Sequence, residues 1–110
     1  MHSTELPNVP VAALPSDATI LDVREPYEWA AGHIDGAVHV PMNDLPATIA
    51  QSPGTIPHDR RVYVVCAVGA RSAQVAAWLL RNGYDAANID GGMHAWVRAG
   101  RPVVTSQRAD

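Results

Sequence analysis

The stretch from Val62 to Leu80 sets the terms for the rest of the chain. Val62-Tyr63-Val64-Val65 is β-branched or aromatic with no polar alternation, which suits a strand buried on both faces of a parallel sheet. Ala73 to Leu80 has no Gly or Pro, is rich in Ala and Leu, and reads as a helix. Between them lies Cys66-Ala67-Val68-Gly69-Ala70-Arg71-Ser72, which holds the only cysteine of the protein. A thiol at the carboxyl end of a parallel strand and the amino end of the next helix occupies the position where α/β folds bind ligands. There it meets unpaired backbone N–H groups and the positive end of a helix dipole, both of which favour thiolate over thiol. The expectation is a nucleophile in an anion-binding cup. A lone cysteine is otherwise a small buried hydrophobe, Gly69 a plain turn glycine and Arg71 a solvated charge. The conjunction of the three at one strand-to-helix junction brings the chemical reading level with the plain one, because Gly69 permits the positive φ that lets successive amides converge on one anion, although a turn glycine gives the same geometry.

Composition removes several function classes. At 110 residues and 47% hydrophobic content the chain is expected to form one domain over residues 1–110, burying roughly two-thirds of its unfolded surface. Residues 1–5 and 103–110 are expected to be peripheral or frayed. The net charge is −3, with eight arginines, no lysine and no basic run, so nothing marks a nucleic-acid partner. No apolar run approaches a spanning helix and Met1 to Pro10 lacks a signal pattern, so no membrane partner is expected. A single cysteine makes no internal disulfide and stays nucleophilic most readily in a reducing compartment, which places the protein in the cytoplasm.

Elsewhere strands and helices alternate. Leu6 to Val11, with Pro7 and Pro10, reads as a short edge strand, and Ile20 to Val23 as a strand carrying Asp22 and Arg24 at its carboxyl end. Pro26 to Ala31 reads as a helix with proline at its start and Gly32 past its end. Val38 to Val40 reads as a strand, Asn43 to Ala50 as a helix with Pro46 in its first turn, and Ser52 to Asp59 as a long loop. Tyr84 to Ile89 is expected to be a strand, Gly91-Gly92 a tight turn and Met93 to Ala99 a helix, with Arg101 onward trailing over the surface. The alternation predicts an α/β fold with a central, mostly parallel sheet of about five strands and helices on both faces.

Three blocks resemble the rhodanese-like (sulfurtransferase) family. Leu21-Asp22-Val23-Arg24-Glu25, Glu28, Gly32 to Ala37 and Val40-Pro41 are similar to its amino-terminal signature, and Cys66-x-x-Gly69-x-Arg71-Ser72 resembles its active-site loop. Gly91 to Trp96 and Gly100-Arg101-Pro102 resemble its carboxyl-terminal signature. The resemblance implies the three-layer rhodanese-like fold. It also implies a sulfurtransferase in which Cys66 takes a sulfane sulfur from a donor, thiosulfate or a persulfide, and passes it to cyanide or a thiol. Ala67, Val68, Gly69, Ala70, Arg71 and Ser72 would bind the substrate. No metal and no organic cofactor is implied. Phosphatases that share the fold use Cys-x5-Arg, a wider cup than Cys66-x4-Arg71, so phosphatase or arsenate reductase activity is disfavoured. A non-catalytic binding module stays as the alternative. Ala67 and Val68 stand where family members that use thiosulfate well often carry cations, which predicts weak thiosulfate binding.

The remaining conspicuous residues are expected to be structural. Asp22 and Arg24 shape the pocket floor or pair with each other or with Glu28. Glu25, Glu28 and Asp35 form a solvated face. His33 and His94 satisfy loop hydrogen bonds, and the histidines lack metal-ligand spacing. Trp29, Trp78 and Trp96 lie on helices and belong to the core. With no second cysteine there is no internal resolving thiol, so whatever Cys66 acquires must leave to an outside acceptor.

Overall fold

The computed structural model describes residues 6–105, and the expected fraying of residues 1–5 and 106–110 lies outside them. Five strands, β1 (Asn8–Val9), β2 (Thr19–Asp22), β3 (Val38–His39), β4 (Val62–Val65) and β5 (Ala86–Ile89), form one sheet in the order β1-β5-β4-β2-β3. Every strand pairing in it is parallel. The helices are α1 (Pro26–Ala31), α2 (Leu45–Gln51), α3 (Ala70–Arg81) and α4 (Gly92–Arg98), with short 3-10 turns at Val11–Ala13, Met42–Asp44 and Pro53–Thr55.

The two faces of the sheet carry separate cores, as a three-layer fold requires. On one face Leu21, Val23, Val62, Val64 and Cys66 meet Leu45 of α2 and Val75, Ala76 and Leu79 of α3. On the other Ile20, Val65 and Ile89 meet Val11, Leu14 and Ile34 and the α4 residues Met93 and Trp96. Val64 and Cys66 share a face while Val65 takes the opposite one, which is the period-two alternation of a strand carried one residue beyond β4. In α3 the buried residues are Ser72, Val75, Ala76 and Leu79, a stripe at helical spacing. Ser72 begins that stripe, so its hydroxyl is delivered toward the strand face that bears Cys66.

The chain leaves β2 toward β3 and leaves β4 toward β5, in opposite directions along the sheet. The carboxyl ends of β2 and β4 therefore flank a topological switch point, the place where open α/β sheets hold their ligands. Register puts Asp22 opposite Val65, and the Val23 N–H donates to the Val65 carbonyl, so Arg24 and Cys66 emerge at this crevice.

Several bounds differ from the sequence reading. Helix α3 starts at Ala70, inside the cysteine loop, because Gly69 is its left-handed cap with φ +108°. The last strand is shorter than Tyr84 to Ile89. The Tyr84 N–H caps the end of α3 on the Leu79 carbonyl before the strand begins. Residues 101–104 are pinned rather than trailing. Trp96 Nε1 donates to the Pro102 carbonyl, Arg101 lies over the Trp96 ring, and Val104 pairs with His33 in an antiparallel bridge.

The Gly91-Gly92 pair does more than turn the chain. Gly92, at φ +60°, packs so closely on the cysteine loop that a Cβ there would lie 2.4 Å from the Cys66 carbonyl oxygen. Gly100 also has a positive φ, +79°, but open space around it. Gly100→Ala is therefore expected to cost about 1–2 kcal/mol from backbone strain alone, whereas Gly92→Ala adds a backbone clash and should cost roughly 3 kcal/mol or more. Urea denaturation of the two variants checks the difference.

Candidate active site

Cys66 follows the buried end of β4 by one residue and exposes no surface. Its Sγ accepts hydrogen bonds from the Gly69 N–H at 3.1 Å and the Ser72 N–H at 3.3 Å, and the Ser72 Oγ lies 3.2 Å away. The amides reach one point because Gly69 takes a conformation that a side chain disfavours and because α3 begins immediately after it. From behind, the loop is fixed by α4. The Met93 N–H donates to the Cys66 carbonyl at 2.8 Å and the His94 N–H to the Ala67 carbonyl at 3.0 Å. These are two of the otherwise unpaired amides at a helix start, used to hold backbone rather than ligand.

Burial is the largest influence on the thiol and pushes its pKa up. The Ser72 hydroxyl and the amides of Ser72, Gly69 and Val68 act against it, and the net position is below the ordinary thiol value. A sulfur sealed from water is thus held toward its charged form by neutral dipoles.

The charged residues near the loop are drawn into pairs rather than onto the sulfur. Arg71 follows the loop glycine but sits one residue before the buried stripe of α3, about 100° away around the helix. Its guanidinium turns to α1 and grips Glu28 with two hydrogen bonds, 2.8 and 3.0 Å. Glu28 is therefore no part of a solvated face. The hydrogen bonds from Arg71 are the main reason its pKa falls from an ordinary 4.5 to about 2, against the opposing effect of burial. Arg71 in turn is raised further by Glu28. Asp22 and Arg24 pair with each other, Nε to Oδ1 at 3.0 Å and Nη2 to Oδ2 at 2.8 Å, both residues buried. Arg24 Nη2 also donates to the Gly32 carbonyl at 2.8 Å, tying the crevice to the end of α1.

Of the remaining loop residues, Ala67 offers its carbonyl to α4, Ala70 opens α3, and Val68 projects outward, 57% exposed. Trp29 is half-buried rather than core. It is stacked between His33 at 3.5 Å and His39 at 4.6 Å, while Trp96 is buried as expected. Both histidines bond carbonyls, His33 to that of Trp29 and His39 to that of Arg24. His94 is exposed, and among the described residues no three His, Cys, Asp or Glu side chains come together as a metal site. An open cleft of about 480 Å³ is lined by Arg24, Glu28, Met93, His94, Arg98 and Val103 among others.

Sequence reasoning missed two participants. Gly92 carried a signal, a glycine pair following a strand, that marks a turn without saying what approaches it. Asn88 of β5 gave none, yet its Oδ1 lies 2.5 Å from the Ser72 Oγ.

Residues 10–99 match the family model described as the rhodanese-like domain. The chain belongs to this family. A sulfurtransferase of Allochromatium vinosum is 39% identical over 92 residues, which are 83% of this chain and 82% of that protein. The rhodanese-like domain protein of Staphylococcus aureus superposes with a TM-score of 0.77 at 31% identity, over 93% of this chain and all of that one. A rhodanese-related protein of Thermoplasma volcanium gives 0.69 at 32% identity, covering 79% and 83%. The rhodanese-like assignment accounts for the parallel sheet, the helices on both faces and the position of the cysteine loop at the switch point.

The Glu28–Arg71 pair predicts an acid limb in the stability of this rhodanese-like domain. The folded-state pKa of Glu28 lies below its ordinary value, so the pair contributes stability above about pH 4.5 that is lost as the pH falls toward 2. The side chains are 19% and 35% exposed, so screening limits the effect to roughly 1 kcal/mol. Glu28→Gln should lower stability by that amount near neutrality and flatten its decline between these pH values, as measured by urea denaturation across the range.

Proposed function

We propose that the protein is a sulfurtransferase that carries sulfur as a Cys66 persulfide. The observation that supports this is the convergence of two backbone amides and one hydroxyl on the Cys66 sulfur. The Cys66 thiolate attacks the outer sulfur of a donor, forming an S–S bond as the bond from that sulfur to the rest of the donor breaks. The electron pair leaves with sulfite or a thiolate. The persulfide anion then faces the amides around Gly69 and Ser72, which act as a preorganised anion hole. A thiol or cyanide attacks the terminal sulfur, the S–S bond breaks, and the Cys66 thiolate returns, giving ping-pong kinetics. Neither step needs a metal or an organic cofactor. Gly69 and Ser72 would shape the cup, with Ala67, Val68 and Ala70 contributing backbone and Arg71 bracing the loop against α1 through Glu28. Asp22 and Arg24 would support its floor. A free thiol of this kind persists in a reducing compartment, and on that ground we place the domain in the cytoplasm.

The cup is poor in free cations. Ala67 and Val68 are uncharged, and Arg71 is engaged by Glu28. A compact dianion such as thiosulfate gains little there, so a persulfide on a thiol or on another protein is the better donor. The total burial of Cys66 favours one rival, a binding module whose cysteine is incidental.

Cys66→Ser is expected to lower sulfur transfer by more than about a thousandfold, and donor treatment of the natural chain should add the mass of one sulfur at Cys66. A chain that binds donors yet never gains that mass is the rival module. In steady-state assays the Michaelis constant should be higher for thiosulfate than for an organic persulfide, and the reverse order would overturn the donor assignment.

A further inference from the structure

The Ser72 hydroxyl has one proton and two acceptors within reach, the Cys66 Sγ at 3.2 Å and the Asn88 Oδ1 at 2.5 Å. It cannot serve both. A separation of 2.5 Å fits O–H···O and is too short for N–H···O, so the amide of Asn88 presents its oxygen and takes the Ser72 proton. In that arrangement Ser72 Oγ is left with lone pairs toward sulfur, which suits a thiol donating S–H. The other end of the amide, Asn88 Nδ2, donates to Asn8 Oδ1 at 2.8 Å. Asn88 is buried, but Asn8 lies on the edge strand β1 and is exposed, so its own amide can turn over in contact with water.

From this geometry we infer that the Asn88 amide is a two-position relay that sets the direction of the Ser72 hydroxyl and so the charge state of Cys66. In the first position Asn88 accepts from Ser72 and donates to Asn8, and the sulfur carries its proton. In the second the amide is turned over, Nδ2 donates to Ser72 Oγ at a longer distance, and Oδ1 accepts from the turned amide of Asn8. The Ser72 proton then points at sulfur, and the thiol proton has gone to solvent. Both positions leave every buried polar atom of the chain Cys66-Ser72-Asn88 partnered, as a bistable network must. The second supplies a third donor to the thiolate, or to the persulfide that replaces it. Asn88 is thus a positioning residue, acting only through Ser72.

Two of the charge pairs around this network are closed, and the other charged groups nearby, Asp90 just past β5 and Arg98 on α4, are exposed to solvent. Arg71 on α3 is held by Glu28 on α1, and Arg24 after β2 by Asp22. α4 brings two titratable groups, His94, whose backbone N–H donates to the Ala67 carbonyl, and Arg98 in its last turn, both exposed.

The inference deepens the sulfurtransferase reading, and its test is separable from it because the readout is the titration of the thiol, followed by thiolate ultraviolet absorbance. Asn8→Asp offers only acceptors to Asn88 Nδ2 and locks the first position. It should raise the proton affinity of Cys66 by roughly tenfold, the worth of one hydrogen bond to a charged sulfur. As Asn8 is exposed, this variant should fold. The shift should persist at high salt, which screens a simple charge effect. Asn88→Ala frees the Ser72 hydroxyl for the sulfur and should move the titration the opposite way. In a Ser72→Ala background neither substitution should move it. Equal shifts with and without the Ser72 hydroxyl, or an Asn8→Asp shift abolished by salt, would overturn the relay. Sulfur loading at Cys66 in the natural chain would be unaffected by that outcome.

Discussion

Every feature of the site follows from one requirement, that a sulfur with no exposed surface be held toward its anionic form. Charge sealed from water is costly unless dipoles replace the lost hydration. Here the Gly69 and Ser72 amides take that place, with the Ser72 hydroxyl within reach as a third donor when its proton is not given to Asn88, and they converge only because of constraints set elsewhere. Gly69 must be left-handed for its amide to face inward. Ser72 must begin the buried stripe of α3, so that packing of Val75, Ala76 and Leu79 against the sheet fixes where its hydroxyl lies. Gly92 must lack a side chain, so that α4 can reach the Cys66 and Ala67 carbonyls from behind.

Formal charge is kept one layer out. Arg71 and Arg24 could have been brought to the sulfur, yet each is matched by a carboxylate, Glu28 and Asp22. The pairs do mechanical work instead. Glu28–Arg71 joins α1 to α3 across 43 residues of sequence, and Arg24 joins the end of β2 to the end of α1 through the Gly32 carbonyl. A cup built from amides discriminates by size and by the number of acceptor atoms rather than by net charge. Under the proposed sulfur transfer, that suits a singly charged terminal sulfur better than a tetrahedral dianion, in line with the short Cys66-x4-Arg71 spacing.

Most of the architecture was legible because local and global signals agree. The uninterrupted apolar run of Val62–Val65, Pro26 with Gly32 around α1, and the early Pro46 of α2 each have one reading, and each holds. What escaped the sequence depends on directions that spacing alone does not supply. Arg71 and Ser72 are adjacent letters, but a turn of 100° sends one to α1 and the other to the sulfur. Glu28 looked solvated because its partner lies 43 residues away. Trp29 looked like core, though the ring is spent on a stack between His33 and His39. Asn88 sits in a short apolar strand where an amide carries no periodic signal, and only the register between β4 and β5 brings it to Ser72. The pinning of residues 101–104 is likewise tertiary, made by the Trp96 indole and the His33 backbone.

The same clamps decide how a sealed sulfur can be reached. The rear of the loop is bonded to α4 through two carbonyls, and its exit is committed to α3, whose buried stripe cannot move without opening the core. The Asp22–Arg24 pair closes the side toward β2. What remains is the front of the loop, where Val68 stands exposed between two fixed ends beside the left-handed Gly69.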